Sequence, residues 1–256
     1  MTRILLTNDD GIHSRGLIKL EESLKEVGDV YVVAPASEMS GASHSLTLAR
    51  PLRIRQIDER HWTVDGTPTD CVTLALNKIL PPDDLPDICV SGINHGGNLG
   101  DDASYSGTVA GALEATILGV PGLAFSLVAR EHFDFREAAQ FAVVAVRKVL
   151  TEGLPEGTLL NVNIPAKEIK GVRVTRQGIK SARPVITEHI DPRGKPYFWI
   201  GEEYFNTNSA DGTDYNAIEL GYISVTPLKS DMTDHRALTA IDTWNYLKDE
   251  ELLHKS

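Results

Sequence analysis

The sequence predicts a doubly wound α/β fold, a mostly parallel, Rossmann-like sheet in a three-layer sandwich with a C-terminal β-hairpin arm and helix. Three observations predict it. Short β-branched runs alternate with stretches whose apolar residues recur at helical spacing. The strand candidates are almost continuously apolar, the pattern of parallel strands covered on both faces. Oxygen-bearing side chains and glycines collect directly after those strands, where such a sheet opens its ligand crevice.

Residues 3–7 form the first strand, which ends at Asn8; Leu17, Leu20, Leu24 and Val27 then recur at helical spacing until Gly28. Residues 30–33 are a second strand, ended by Ala34-Pro35. Pro68 opens a helix over 69–80 with Val72, Leu76 and Ile79 on one face, closed by Pro81-Pro82. Residues 88–90 make a third buried strand, stopped by Ser91-Gly92. A helix of small residues spans 108–118, a strand 122–127, and a long helix 135–150 carries Phe135, Ala138, Phe141, Ala142, Ala145 and Val149. Right-handed crossovers join these units.

After Pro165 the texture changes. Residues 185–190 and 197–200 flank Asp191-Pro192-Arg193-Gly194, a hairpin signal. Residues 202–214 are polar, with Asn206, Asn208, Asp211 and Gly212; 222–226 is a further strand, and Ala237, Leu238, Ile241, Trp244 and Leu247 give a closing helix stripe. A hairpin bearing Tyr197, Phe198 and Trp199 has too little core of its own. It is expected to pack on another subunit, a flap on its own domain being the alternative. The expected division is 1–180 for the α/β core with the active site and 181–256 for oligomerisation.

Composition narrows the function classes. The 256 residues are 41% hydrophobic and 24% charged, within the globular norm. A net charge of −11 argues against a nucleic-acid polymer as partner, though not against a local anion site. No run of about 18 apolar residues exists, so no membrane span is expected. The first apolar stretch is short and meets two acids, unlike a signal peptide. Cys71 and Cys89, each flanked by apolar residues, read as buried thiols of a reducing compartment, and the expected location is cytoplasmic.

The chemistry sits at the strand ends. Strand one leads into Asn8-Asp9-Asp10-Gly11, strand two towards Ser37, Ser40 and the Ser43-His44-Ser45 run, strand three into Ser91-Gly92-Ile93-Asn94-His95 and on to Gly100. Two adjacent carboxylates raise each other's pKa, so Asp9-Asp10 at a strand end suggests a divalent cation; a helix cap plus a solvated acid is the plainer alternative. With Ser40 and Asn94 expected on the same rim, an oxygen-donor set suits Mg²⁺, Mn²⁺ or Ca²⁺ rather than zinc. His13, His44 and His95 lie nearby without zinc spacing and read as surface or supporting residues. Tyr105-Ser106-Gly107-Thr108 opens a helix whose free N–H groups and dipole favour an anion. A metal beside a phosphate cradle means phosphoryl chemistry. The glycine-rich run 92–100 lacks a Walker ending, no dinucleotide or nucleophile-elbow fingerprint occurs, and Asn8 stands where a phosphoaspartyl enzyme would need its nucleophile.

These motifs, in this order, resemble the SurE (survival protein E) family of metal-dependent nucleotidases. The resemblance lies in 4–12, in Ala34-Pro35 with Ser40-Gly41-Ala42-Ser43-His44-Ser45, in Gly66-Thr67-Pro68-Thr69-Asp70, and in 91–100. It continues through Tyr105-Ser106-Gly107-Thr108-Val109, Leu160-Asn161-Val162-Asn163-Ile164-Pro165 and 221–228. Small departures are Ala115, where a glycine is common, and the turn Arg176-Gln177-Gly178-Ile179-Lys180. The resemblance implies one divalent metal, Mg²⁺ or Mn²⁺ foremost, on Asp9, Asp10, Ser40 and Asn94. It places substrate phosphate against Asn98, Ser106, Gly107 and Thr108, and makes Asp9, Asp10 and Asn94 the catalytic centre. It also implies a homodimer or homotetramer joined through the C-terminal arm.

The expected activity is hydrolysis of nucleoside monophosphates to nucleoside and phosphate, the choice between 5′ and 3′ phosphate being open. Asp10 would hold or deprotonate the attacking water, and solvent or a histidine such as His44 or His95 would protonate the leaving nucleoside. The alternatives are a short-chain polyphosphatase and a non-enzymic nucleotide-binding stress protein.

Overall fold

The structure is a computed structural model that describes residues 1–81, 85–129, 131–180, 182–204 and 210–244. In chain order its elements are β1 (Arg3–Thr7), α1 (Arg15–Leu24), β2 (Asp29–Pro35), β3 (Ile54–Gln56), β4 (His61–Val64), α2 (Pro68–Leu74), β5 (Ile88–His95), α3 (Gly107–Ile117), β6 (Gly122–Val128) and α4 (Arg136–Glu152). There follow β7 (Thr158–Pro165), β8 (Gly171–Val174), β9 (Ala182–Ile190), β10 (Pro196–Tyr204), α5 (Asp214–Glu219), β11 (Tyr222–Lys229) and α6 (Ala237–Asp242).

Apolar residues on both faces of β1 set the layering. Ile4 and Leu6 point into one core with Leu17, Leu20 and Leu24 of α1 and the Ala138, Ala142, Val146 and Val149 stripe of α4. Leu5, one residue out of phase, points into the opposite core with Cys71 and Val72 of α2 and Ala115 of α3. The sheet order is β3-β4-β2-β1-β5-β6-β7-β11-β8. The strands from β4 to β7 run parallel; β3 and β11 pair antiparallel at either side, and β8 continues parallel to β11. The doubly wound three-layer architecture expected from the sequence is therefore present, with α1 and α4 on one face and α2 and α3 on the other.

Several elements differ from expectation, each for a local reason. The strand expected over 88–90 continues to His95, because the backbone stays paired with β6 through a register shift between Ser91 and Asn94. Such a bulge re-aims the side chains that follow it, and glycine with polar residues made the segment look like a loop. The helix expected over 69–80 gives way after Leu74 to a wider turn, Ala75–Ile79. There Asn77 Nδ2 donates to the Thr73 carbonyl at 2.8 Å, and Leu80 N–H reaches back to Ala75 at 2.9 Å. The short strands β3, β4 and β8 and the six-residue α5 carry too few residues for a periodic signal.

β9 and β10 pair antiparallel as a separate two-stranded sheet, closed by a turn in which Asp191 Oδ1 accepts from Arg193 and Lys195 N–H at 2.8 and 2.9 Å. Ile186, Ile190, Phe198, Trp199 and Ile200 are exposed on it. Of the closing helix stripe, Ala237, Leu238 and Ile241 fall on α6, and Leu247 lies outside the described residues, as do Asn206 and Asn208.

The Gly66-Thr67-Pro68-Thr69-Asp70 motif is a helix cap. Thr67 Oγ1 accepts from Asp70 N–H at 3.1 Å while Asp70 Oδ2 accepts from Thr67 N–H at 2.9 Å, and Pro68 starts α2 where no N–H is needed. Asp70 also accepts the N–H and hydroxyl of Thr47 at 2.9 and 2.6 Å, tying the 36–53 loop to the first turn of α2. Thr67→Ala is expected to cost about 1 kcal/mol of stability. Asp70→Ala, which orphans three donors, should cost about 2–3 kcal/mol. Urea denaturation of the two variants checks this order.

Candidate active site

Strand order reverses at β1. The chain goes to β2 on one side and to β5 on the other, so the connections diverge and leave a crevice beyond the carboxyl ends of β1 and β5. The loop leaving β1 is shaped by Asn8, whose Nδ2 donates to the Gly11 carbonyl at 3.0 Å and to Ser14 Oγ at 2.7 Å. Ser14 in turn caps α1, and Gly11 supplies a φ of +93° that the turn requires. This locks Asp9 and Asp10 onto the rim.

Asp9 is almost wholly buried, at 4% exposure. Its Oδ1 accepts the Thr108 hydroxyl across a short contact, and its carbonyl accepts Met39 N–H at 2.7 Å. The first turn of α3 approaches so closely that a Cβ on Gly107 would stand 2.8 Å from the Asp9 Cβ, which is why a glycine opens this helix. Burial pushes the Asp9 carboxyl up to about 6; the Thr108 hydrogen bond opposes that and the Asp10 charge adds to it. Among the described residues no lysine or arginine pairs with either aspartate. His95 Nδ1 lies 3.0 Å from Asp10 Oδ2, its ring held edge-on by Phe133 and Phe135 at 4.9 and 4.8 Å. A buried carboxylate beside a second acid, with no fixed cation, is a donor set that fits a divalent metal ion.

The remaining expected residues fall as follows. Asn94, at the end of β5, turns its Nδ2 to the Gly96 carbonyl at 3.0 Å. Ser40 is exposed, its hydroxyl donating to Glu38 Oε1 at 2.8 Å, and its loop is tethered to Asp9 through Met39. Ser106 caps α3 by accepting Val109 N–H at 3.0 Å. Asn98 is buried, its Nδ2 donating to Ser126 Oγ at 2.8 Å. Asp9, Gly107 and Thr108 are thus in direct contact; Asp10 follows Asp9 in the loop after β1, Asn94 lies at the end of β5 beside the His95 that meets Asp10, and Ser40 and Asn98 stand on loops.

Residues 4–184, which include every residue of this rim, match the family model described as Survival protein SurE. The chain belongs to the SurE family. It is similar to a protein of Aquifex aeolicus (strain VF5) named 5′-nucleotidase SurE, 50% identical over 253 residues, which are 97% of this chain and 99% of that one. A protein of the same name from Pelobacter propionicus is 48% identical over 245 residues, covering 94% of this chain and 98% of its own. The crystal structure of the SurE protein from Aquifex aeolicus aligns with a TM-score of 0.85 at 50% identity, over 96% of this chain and all of that one.

Two features of this SurE-family site were missed in the sequence. His44 Nε2 meets Glu114 Oε2 of α3 at 2.7 Å, and Thr73 holds the other oxygen at 2.8 Å, so the histidine is oriented by a carboxylate. The hydrogen bonds from His44 and then Thr73 outweigh desolvation and hold the Glu114 carboxyl below its usual range. The second feature is the pair Asn161 and Asn163 on β7. Their signal was present, since two asparagines two residues apart in an apolar strand face the same side.

The raised carboxyl of Asp9 has a consequence for the metal-free protein. Its folded value of about 6 lies above the ordinary 3.8, so ionisation opposes folding: nothing is lost below about pH 4, and the full penalty applies above about pH 6. Asp9→Asn is therefore expected to stabilise the protein in EDTA at pH 8 by up to about 3 kcal/mol. Thermal unfolding across pH 4–8 should show that gain vanish at the acid end.

Proposed function

We propose that this chain hydrolyses nucleoside monophosphates to nucleoside and inorganic phosphate with a divalent metal ion held on the rim at Asp9, Asp10, Ser40 and Asn94. It is a 5′-nucleotidase of the phosphomonoesterase class, and we extend the reading to 3′-nucleotides as a second substrate position. The observation that carries the proposal is the buried, unneutralised Asp9 carboxylate lodged against the first turn of α3.

Bound there, Mg²⁺ or Mn²⁺ would supply charge neutralisation at the phosphate and acidification of a water. The protein's own groups do the rest. Asp10 holds the attacking water and takes its proton on the carboxylate. Thr108 keeps Asp9 in place by donating to its Oδ1, so its hydrogen is committed to the carboxylate rather than to substrate. Asn98, the Ser106 hydroxyl and the N–H opening α3 at Gly107 face the equatorial oxygens, where charge develops in the transition state, while the Thr108 N–H, like its hydroxyl, is turned to Asp9.

Phosphate release should therefore be abolished by EDTA and restored by Mg²⁺ or Mn²⁺ on a panel of nucleoside monophosphates, with tripolyphosphate as the competing substrate. Asp10→Asn is expected to lower kcat about 10²–10⁴-fold, the range for a lost general base. Full turnover of Asp10→Asn at saturating metal would overturn the mechanism, and release from tripolyphosphate alone would favour a polyphosphatase.

The hairpin supports a second part of the reading, a homodimer or homotetramer joined through β9 and β10. Phe198 and Trp199 are 57% and 65% exposed on a two-stranded sheet too small to stand alone. Phe198→Glu with Trp199→Glu should give a smaller species by light scattering after size exclusion. Among the described residues no helix is long and apolar enough to cross a membrane, and Cys71 and Cys89 are free and buried, which suits a cytoplasmic site.

A further inference from the structure

We infer that Asn163 is a positioning residue for Asn98, acting on the phosphate through that side chain and not by contact of its own; the inference rests on the reading of Asn98 as a phosphate-facing group. Asn163 lies on β7, fully buried, 65 residues from Asn98 in sequence. Its Oδ1 accepts the Asn98 N–H at 2.8 Å, and its Nδ2 donates to the Asn98 carbonyl at 3.2 Å. One side-chain amide thus binds both polar backbone groups of one residue, as a neighbouring strand would, and it can do so in only one orientation. Exchanging its oxygen and nitrogen would set like against like at both contacts.

The neighbours complete the clamp. Asn161, two residues earlier on the same face of β7, donates from Nδ2 to the Asn98 carbonyl at 2.8 Å. Ser126, register partner of Asn163 on β6, accepts one hydrogen of Asn98 Nδ2 at 2.8 Å. With main chain and one amide hydrogen fixed, the rotamer of Asn98 is set, and its second Nδ2 hydrogen is the donor left for a ligand. Every partner is 0% exposed, so a misplaced group cannot recruit water to repair the loss. A donor aimed before substrate arrives costs no reorganisation in the transition state, which is what the clamp provides.

Two variants and a cycle test this. Asn163→Asp keeps an acceptor for the Asn98 N–H but loses the donor to its carbonyl; Asn163→Leu loses both. Each is expected to lower kcat/KM for a nucleoside monophosphate about 10- to 100-fold, the size of one hydrogen bond to a charged group. Mn²⁺ affinity, read by calorimetry without substrate, should stay unchanged. The decisive comparison is in the Asn98→Ala background, where Asn163→Asp should have no further effect. If Asn163→Asp lowers activity by the same factor with or without Asn98, its role is general support of the fold and the inference falls. If Asn98→Ala alone leaves kcat/KM unchanged, the reading of Asn98 falls first and takes the inference with it. Loss of Mn²⁺ affinity in Asn163→Asp would also overturn it.

Discussion

The structure depends on a carboxylate buried where the sheet changes direction. Asp9 sits at the mouth of the crevice between β1 and β5, with Asp10 beside it and the first turn of α3 packed against its Cβ. Left alone, such a group resists ionisation, and its carboxyl stands at about 6. The fold nevertheless gives it a hydroxyl donor, Thr108, that favours the charged form. A perturbed carboxyl of this kind is common at functional sites, and Gly107 and Thr108 are both committed to holding this one side chain while Asn8 shapes the loop that carries it.

Around that centre the protein has traded apolar core for a buried polar layer. Ser126 on β6, Asn161 and Asn163 on β7, and Ser224 and Thr226 on β11 occupy successive register positions across three strands. Thr175 bonds both Ser224 and Thr226 at 2.7 and 2.8 Å. Hydroxyls and amides in a sheet interior lower stability unless paired, and three of these, Ser126, Asn161 and Asn163, find their partner in one loop. That loop is 98–100. Asp214, fully buried at the start of α5, accepts Gly100 N–H at 2.7 Å and Gly178 N–H at 2.8 Å, and Tyr215 donates to the Leu99 carbonyl at 3.1 Å. The glycine-rich segment is held from two sides by residues distant in sequence.

This division explains what the sequence made legible. The strands β1, β2, β5 and β6, the helix faces and the placement of Asp9, Asp10 and Asn94 at strand ends could be read because each is a local pattern: apolar periodicity, then oxygen-bearing groups where a strand stops. The hairpin could be read from its turn chemistry at Asp191-Pro192-Arg193-Gly194. The clamp on Asn98 could not, because its partners lie 28 to 65 residues away and no local spacing encodes their meeting. Nor could the continuation of β5 to His95, where strand pairing overrides a glycine and a run of polar residues. Thr108 was legible as a helix-opening hydroxyl but not as the donor to Asp9, since only the approach of the first turn of α3 to the loop after β1 decides where that hydroxyl turns.

Charge gives the arrangement its last constraint. The chain carries a net charge of −11, and its candidate site presents two acids to a substrate that is itself a phosphate dianion. Long-range attraction cannot bring such a ligand in; beyond about 10 Å salt screens the field, and within it the aspartates repel. On the proposed reading, binding would therefore come from short-range donors whose positive ends are already aimed: the Gly107 N–H opening α3, the Ser106 hydroxyl and the Asn98 amide. These groups overcome the repulsion only if the acids are neutralised first. On the proposed reading, ordered binding, cation before phosphate, would follow from the same burial that raises Asp9, and it would make the rigidity of the Asn98 loop matter more than in a basic pocket, where a loosely held donor would be backed by bulk charge.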